Sequence, residues 1–254
     1  MTMNKKRLIV AGVLAAITIA GGCTKNGSTG PAGATGPAGP SYTGAISGHV
    51  SLYDQYGSKV STGLNSVQLV VNGTNTITPD VNGYYAFSST TGDYYMTASD
   101  NGYGATRANS FQYLADTLNK DIKLSAIPGF SPTTVTAYTA TGSAPGDSLV
   151  INFTADTRAR NCIVFVNNTT AVSNLPANYQ LVYTKAIAAN QTRAVILIPS
   201  QDLTDVGITS GSTIYCAAYG YVVGDVSVYE DLTTGKNVYN AVSASPVTAT
   251  AVAP

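Results

Sequence analysis

The sequence predicts an all-β protein, two tandem β-sandwiches behind a leader and a disordered glycine-repeat linker. Three observations predict it. Beyond residue 43 the apolar residues fall in short alternating runs, the period of a half-buried strand, with turn residues about every eight to twelve positions. No sustained helical period follows Cys23. The composition has 17 Tyr, no Trp and only 10% charged residues, which suits strands carrying amphipathic aromatics.

The leader is the stretch Asn4–Cys23. Lys5, Lys6 and Arg7 precede an apolar run from Leu8 to Ala20, and small residues then lead to a cysteine. The run is short of the about 20 apolar residues a spanning helix needs, and its layout is that of a cleaved secretory leader. The motif Ile19-Ala20-Gly21-Gly22-Cys23 resembles the lipobox of bacterial lipoproteins. The resemblance implies a signal peptide over 1–22 and acylation of Cys23. Each methylene of a palmitate-type chain then adds about 0.8 kcal/mol of membrane affinity. Thr24, not Asp, follows Cys23, and the resemblance associates this with the outer membrane, facing either side.

The leader holds three of the 13 Lys+Arg and none of the 13 Asp+Glu, so ten basic residues face 13 acidic ones beyond it, a net charge of −3. No basic stripe remains, which argues against a nucleic-acid partner. Residues 23–42 read as a tether. Gly27, Gly30, Gly33, Gly36 and Gly39 recur at every third position, a collagen-like Gly-X-Y pattern. Five triplets are few for a triple helix, so a polyproline-like spacer is the expectation and trimerisation the alternative. At roughly 3.1 Å per residue it reaches about 50 Å. Similar stubs after the lipid cysteine resemble those of Bacteroidetes-type lipoproteins.

Residues 43–127 form the first expected sandwich. Ile46, Val50 and Leu52 start a strand that breaks at Asp54–Gly57; Val67, Leu69 and Val71 alternate; Asn72-Gly73 is a hairpin turn. After the Asp80–Gly83 turn, Tyr85 and Phe87 share one face and Tyr84 and Ala86 the other. Tyr94, Met96 and Ala98 alternate again, and Ile122 and Leu124 close the region. Gly48, Val50, Asp54, Gly57, then Asp80, Gly83, Tyr85, Phe87, then Gly92, Tyr94, Gly102 and Tyr103 together resemble the carboxypeptidase regulatory-like family. The resemblance implies a transthyretin-like sandwich with a carbohydrate-binding-like fold, an accessory module without catalysis. Tyr84, Tyr95 and Tyr113 are candidate outward tyrosines, a surface able to stack on sugar rings or meet a protein.

Ile127-Pro128-Gly129 and Ser131-Pro132 mark a linker, and residues 128–254 form the second sandwich. Expected strands are Thr134–Tyr138, Ser148–Phe153 with Leu149, Ile151 and Phe153 inward, Cys162–Val166, Tyr179–Tyr183, Arg193–Ile198, Thr213–Val222 and Val238–Val247. Seven strands suit an immunoglobulin-sized fold. Gly211–Tyr221 resembles the penultimate strand of a fibronectin type III-like domain, which implies a corner-tyrosine place for Tyr215; the usual core tryptophan is missing. Cys162 and Cys216 are candidates for a disulfide if both face outward. The run Cys162–Val166 leaves that open.

The chemistry-bearing residues are sparse. The single histidine, His49, lies on the first strand and reads as a surface residue rather than a catalytic base. Asp80, Asp93 and Asp100 sit near turns without an EF-hand order, so no metal or other cofactor is expected. The Asn-x-Ser/Thr triplets at Asn72, Asn152, Asn168 and Asn190 read as strand and turn composition. No catalytic residues are assigned. The sequence therefore points to a non-enzymatic envelope lipoprotein that presents two sandwiches to a ligand or a protein partner. The alternative is a carbohydrate-binding accessory of a glycan uptake or degradation system, and a hydrolase is the reading least supported.

Overall fold

Alternation in the first strand sets the geometry of everything near it. In β1 (Thr43–Tyr53) the inward positions Ile46, Gly48, Val50 and Leu52 are buried. The computed structural model describes residues 43–114, 116–140 and 146–254. The leader, Cys23 and the glycine-repeat tether lie outside the described residues.

Antiparallel β5 (Tyr84–Thr90) and β2 (Lys59–Val60) flank β1 on one side. The short β8 (Thr117–Asn119) and β9 (Ile122–Ser125) run parallel to it. The facing sheet has the order β4 (Asn75–Ile77), β3 (Gln68–Val71), β6 (Gly92–Ser99), β7 (Thr106–Tyr113). Between the sheets lies one core that includes Val50, Leu52, Val67, Leu69, Tyr85, Met96, Ile122 and Leu124. The Asn72-Gly73 turn is as expected: φ is 48° and 75°, and Thr74 N–H donates to the Val71 carbonyl at 3.1 Å.

Two glycines on β1 are required by close approach. The Tyr113 hydroxyl passes Gly44 to reach the Asp116 carbonyl at 2.5 Å, and the Tyr85 hydroxyl passes Gly48 to reach the Lys120 carbonyl. A Cβ at either glycine would collide with those atoms. Tyr113 is thus only 2% exposed, which corrects its placement among outward tyrosines. The cause is a register shift between Tyr94 and Met96 where β6 pairs with β7. β7 takes three steps from Ala108 to Phe111 where β6 takes two from Met96 to Tyr94, so the inward face passes from Thr106 and Ala108 to Phe111 and Tyr113, and simple alternation does not reveal it.

The second sandwich pairs a sheet of β10 (Thr134–Ala140), β11 (Gly146–Asn152) and β14 (Arg193–Pro199) with one of β13 (Leu181–Ile187), β12 (Arg160–Asn167), β15 (Thr213–Tyr221) and β18 (Val247–Val252). A one-turn helix α1 (Ser200–Asp205) follows β14. The inner core takes Leu149, Ile151, Cys162, Val164, Ile196, Ile198 and Cys216. Strands β12 and β15 are buried on their other face as well, where Ile163, Phe165, Ala217, Tyr219 and Tyr221 meet Tyr179, Tyr239 and Val242. Much of that cover comes from the segment after the hairpin β16 (Tyr229–Asp231) and β17 (Lys236–Val238).

This second buried face explains three corrections. Cys162 and Cys216 both point into the inner core as free thiols. Cys162 lies opposite Gly220 and Cys216 opposite Val166, four positions apart along the ladder. At about 3.3 Å per residue that is roughly 13 Å, beyond the about 7 Å a disulfide spans. Burial pushes each thiol up to about 12. Tyr215 does not fill a corner-tyrosine place: it is half-buried and outside the cores, at the end of the outer face that the cover does not reach. The expected last strand over Val238–Val247 is instead an irregular covering segment, and the closing strand starts at Val247 after Pro246.

The two sandwiches join within one compact unit, Ser41–Pro254. Ser125 N–H donates to the Ser227 Oγ at 2.6 Å, Val226 N–H donates to the Ser125 Oγ at 3.0 Å, and both serines are buried. Asn240 Nδ2 donates to the Ala105 carbonyl at 2.8 Å, and the Tyr56 hydroxyl donates to Asp156 at 3.0 Å under the Arg158 guanidinium.

Candidate functional site

At one end of the first sandwich the two sheets part. The start of β1 and the end of β5 form one wall; the β3–β4 turn and the start of β6 form the other. The cleft between them has a volume of about 390 Å³. That is the lower range of small-molecule clefts.

Its lining follows from strand alternation running out at a sheet end. Phe87 is the last inward aromatic of β5 and Tyr94 the first of β6, and both are half-buried at the edge of the core. Around them stand Thr43, Asn72, Thr74, Asn75, Ser88, Ser89 and Thr90. Hydroxyls and amides each donate and accept, and no lining residue carries a charge. The Tyr94 hydroxyl donates to the Thr90 carbonyl at 2.8 Å. Hydrogen bonding with Ser89, and then Thr90, holds it below the usual tyrosine range. Tyr94 is steadied by Phe111, stacked at 6.2 Å, and by the edge of Tyr113 at 6.3 Å. Asn72 is fixed in its turn because its Oδ1 accepts from Tyr95 N–H at 3.0 Å. The lining thus combines two half-buried aromatics and Val71 with neutral donors and acceptors.

The tyrosines singled out in the sequence do not form one patch. Tyr84 is 43% exposed on the outer face of the β1 sheet, tilted on His49 at 5.4 Å. Tyr95 lies on the opposite sheet beneath Arg107, 4.6 Å from ring centroid to Cζ. Tyr113 is in the core. The sequence reading missed Phe87 and Tyr94 as site residues because they read as core; the signal was their place beside the polar runs Ser88–Thr90 and Asn72–Asn75.

His49 is exposed, and its backbone N–H donates to Asp121 at 2.9 Å. Asp80 accepts the backbone N–H groups of Asn82 and Tyr84, and Asp100 those of Asn101 and the Ser66 hydroxyl, so both brace turns. Among the described residues no three His, Cys, Asp or Glu side chains converge as a metal site.

No family model matches this sequence, and no curated protein does. Among solved structures, the chain resembles a carbohydrate-binding candidate from Bacteroides uniformis, with 13% identity and a TM-score of 0.31 over 82% of this chain and 98% of that one. It also resembles a DUF3823 family protein from Parabacteroides merdae, with 14% identity and a TM-score of 0.26 over 81% and 98%. A DUF3823 family protein from Bacteroides uniformis gives 11% identity and a TM-score of 0.31 over 85% and 100%. Superpositions this loose carry no argument about a ligand, which must come from the residues themselves.

Proposed function

We propose that the chain is a non-enzymatic envelope lipoprotein whose first sandwich binds a neutral glycan in the cleft between Phe87 and Tyr94. The observation that carries the reading is the lining: Phe87, Tyr94 and Val71 together with seven hydroxyl- or amide-bearing residues, none of them charged. A sugar ring has an apolar face and a belt of hydroxyls, and such a site matches both. The concavity favours a small ligand over a flat protein interface, whose centre is aromatic and well packed. Glycoside hydrolysis needs two carboxyl groups about the bond, and this lining has none, so the cleft binds without cleaving.

Cys23, acylated, holds the protein at the outer membrane, and the Gly-X-Y tether displays the sandwiches away from it. Isothermal titration of the full chain in detergent against a panel of neutral oligosaccharides tests the binding. Saturable heat with at least one of them, reduced by Asn75→Ala and Ser89→Ala, is expected; silence across the panel would overturn it. Membrane fractionation tests the anchor separately: Cys23→Ser should leave the outer-membrane fraction.

A further inference from the structure

A second concavity lies on the β7 flank of the same sandwich. It is bounded by β7, the turn between β8 and β9, and Val226 from the second sandwich. Its volume is about 240 Å³. Arg107, Lys120 and Lys123 line it, with Asp121 as the one acidic residue in the lining. Three of the ten basic residues beyond Cys23 thus gather at one notch, in a region whose net charge is −3.

We propose that this notch binds an oxyanionic group — a carboxylate, sulfate or phosphate — independently of the glycan cleft. Aromatic rings hold two of its cations. The Arg107 Cζ is 4.6 Å from the Tyr95 centroid, and the Lys120 Nζ is 5.2 Å from that of Phe111. A ring face attracts the positive charge without using the in-plane N–H donors, so those donors stay available for an anion. The Arg107 Nε is buried and meets no acceptor among the described residues. A buried donor calls for a partner, and the planar guanidinium fork fits two oxygens of one oxyanion. Asp121 offsets one of the three positive charges, so the lining keeps a net positive balance. The small volume admits the anionic head and its attachment point, not a long chain. Tyr95 therefore serves ligand binding as the platform under Arg107 rather than as a stacking surface for sugar.

The test is a titration of ¹⁵N-labelled full chain in detergent with sodium sulfate, sodium glucuronate and glucose, at constant ionic strength. Saturable shifts of the amides of residues 106–108 and 120–123 with sulfate or glucuronate, and none there with glucose, are expected. Arg107→Gln should weaken that binding about tenfold or more, the loss expected from one charge-assisted hydrogen bond. Exposed Lys123→Gln, which leaves the fold untouched, should weaken it as well. Tighter binding of glucuronate than of sulfate identifies a sugar-borne carboxylate; equal binding identifies the free oxyanion. Non-saturable shifts, or unchanged affinity in both variants, would overturn the site while leaving the glycan cleft standing.

Discussion

The two sandwiches solve the same problem in different ways. In the first, each sheet buries one face, a single core lies between them, and the outer faces and sheet ends stay open. In the second, β12 and β15 are buried on both faces, and an irregular segment is spent on covering the outer one. The first therefore keeps its open clefts, and the second has the deeper core. Under the proposed function this is a division of labour: one sandwich would recognise the ligand, and the other braces it through the buried Ser125–Ser227 contact.

The largest expected effect tests the double burial. Phe165 is fully buried among Tyr179, Tyr219 and Tyr239. Phe165→Ala should cost about 3–5 kcal/mol in denaturant unfolding. Phe87→Ala, at the half-open cleft of the first sandwich, should cost only about 1–2 kcal/mol. Equal losses would remove the contrast.

The brace comes next. A Cβ on Gly104 would stand 2.6 Å from the Ala241 nitrogen, so Gly104→Val should force the sandwiches apart locally. A loss of about 1–3 kcal/mol is expected, with the unfolding transition broadened or split in calorimetry. One sharp, unshifted transition would show that the contact couples nothing.

Asp147 gives a smaller, pH-dependent effect. It is fully buried at the start of β11, and neither carboxylate oxygen has a hydrogen-bond partner among the described residues. Desolvation raises its pKa above the usual carboxylate range. A group raised in the fold contributes stability that is full below its unfolded pKa, about 3.9, and is lost as pH rises through the folded value. Asp147→Asn should thus be more stable than the wild type at pH 7, with the gap closing below about pH 4. A variant less stable at both pH values would contradict this. The thiols form a related check: Cys162 and Cys216 should resist alkylation in the native protein and react only on unfolding, and removing reductant should not change Tm. Least affected should be Leu197→Ala, at a position 67% exposed on the open face of β14, within about 0.5 kcal/mol of wild type.

The same contrast explains how much the sequence revealed. Leu69 and Val71, or Tyr85 against Tyr84, could be assigned to faces because one side of their sheet meets water. Cys162–Val166 gave no such pattern, since a strand buried on both sides reads as an unbroken apolar run. Tyr113 was misplaced by a bulge in its own strand, β7, which shows only once β7 is paired with β6. The cleft was legible only in pieces. Asn72-Gly73 and Ser88–Thr90 were readable as turn and strand-end residues, but their meeting around Phe87 and Tyr94 depends on how the two sheets face each other. The cationic notch is further from the sequence still, because it gathers Arg107 from β7 and two lysines from the β8–β9 flank against a loop of the other sandwich.

The most direct test of the division of labour is a parallel titration of neutral oligosaccharides into the wild type, a cleft variant (Asn75→Ala with Ser89→Ala) and Leu197→Ala on the second sandwich. Wild type and Leu197→Ala should bind one sugar with the same affinity, and the cleft variant should lose about tenfold or more, at an unchanged Tm. Equal affinity in all three proteins, or loss in Leu197→Ala alone, would contradict the placement of recognition in the first sandwich.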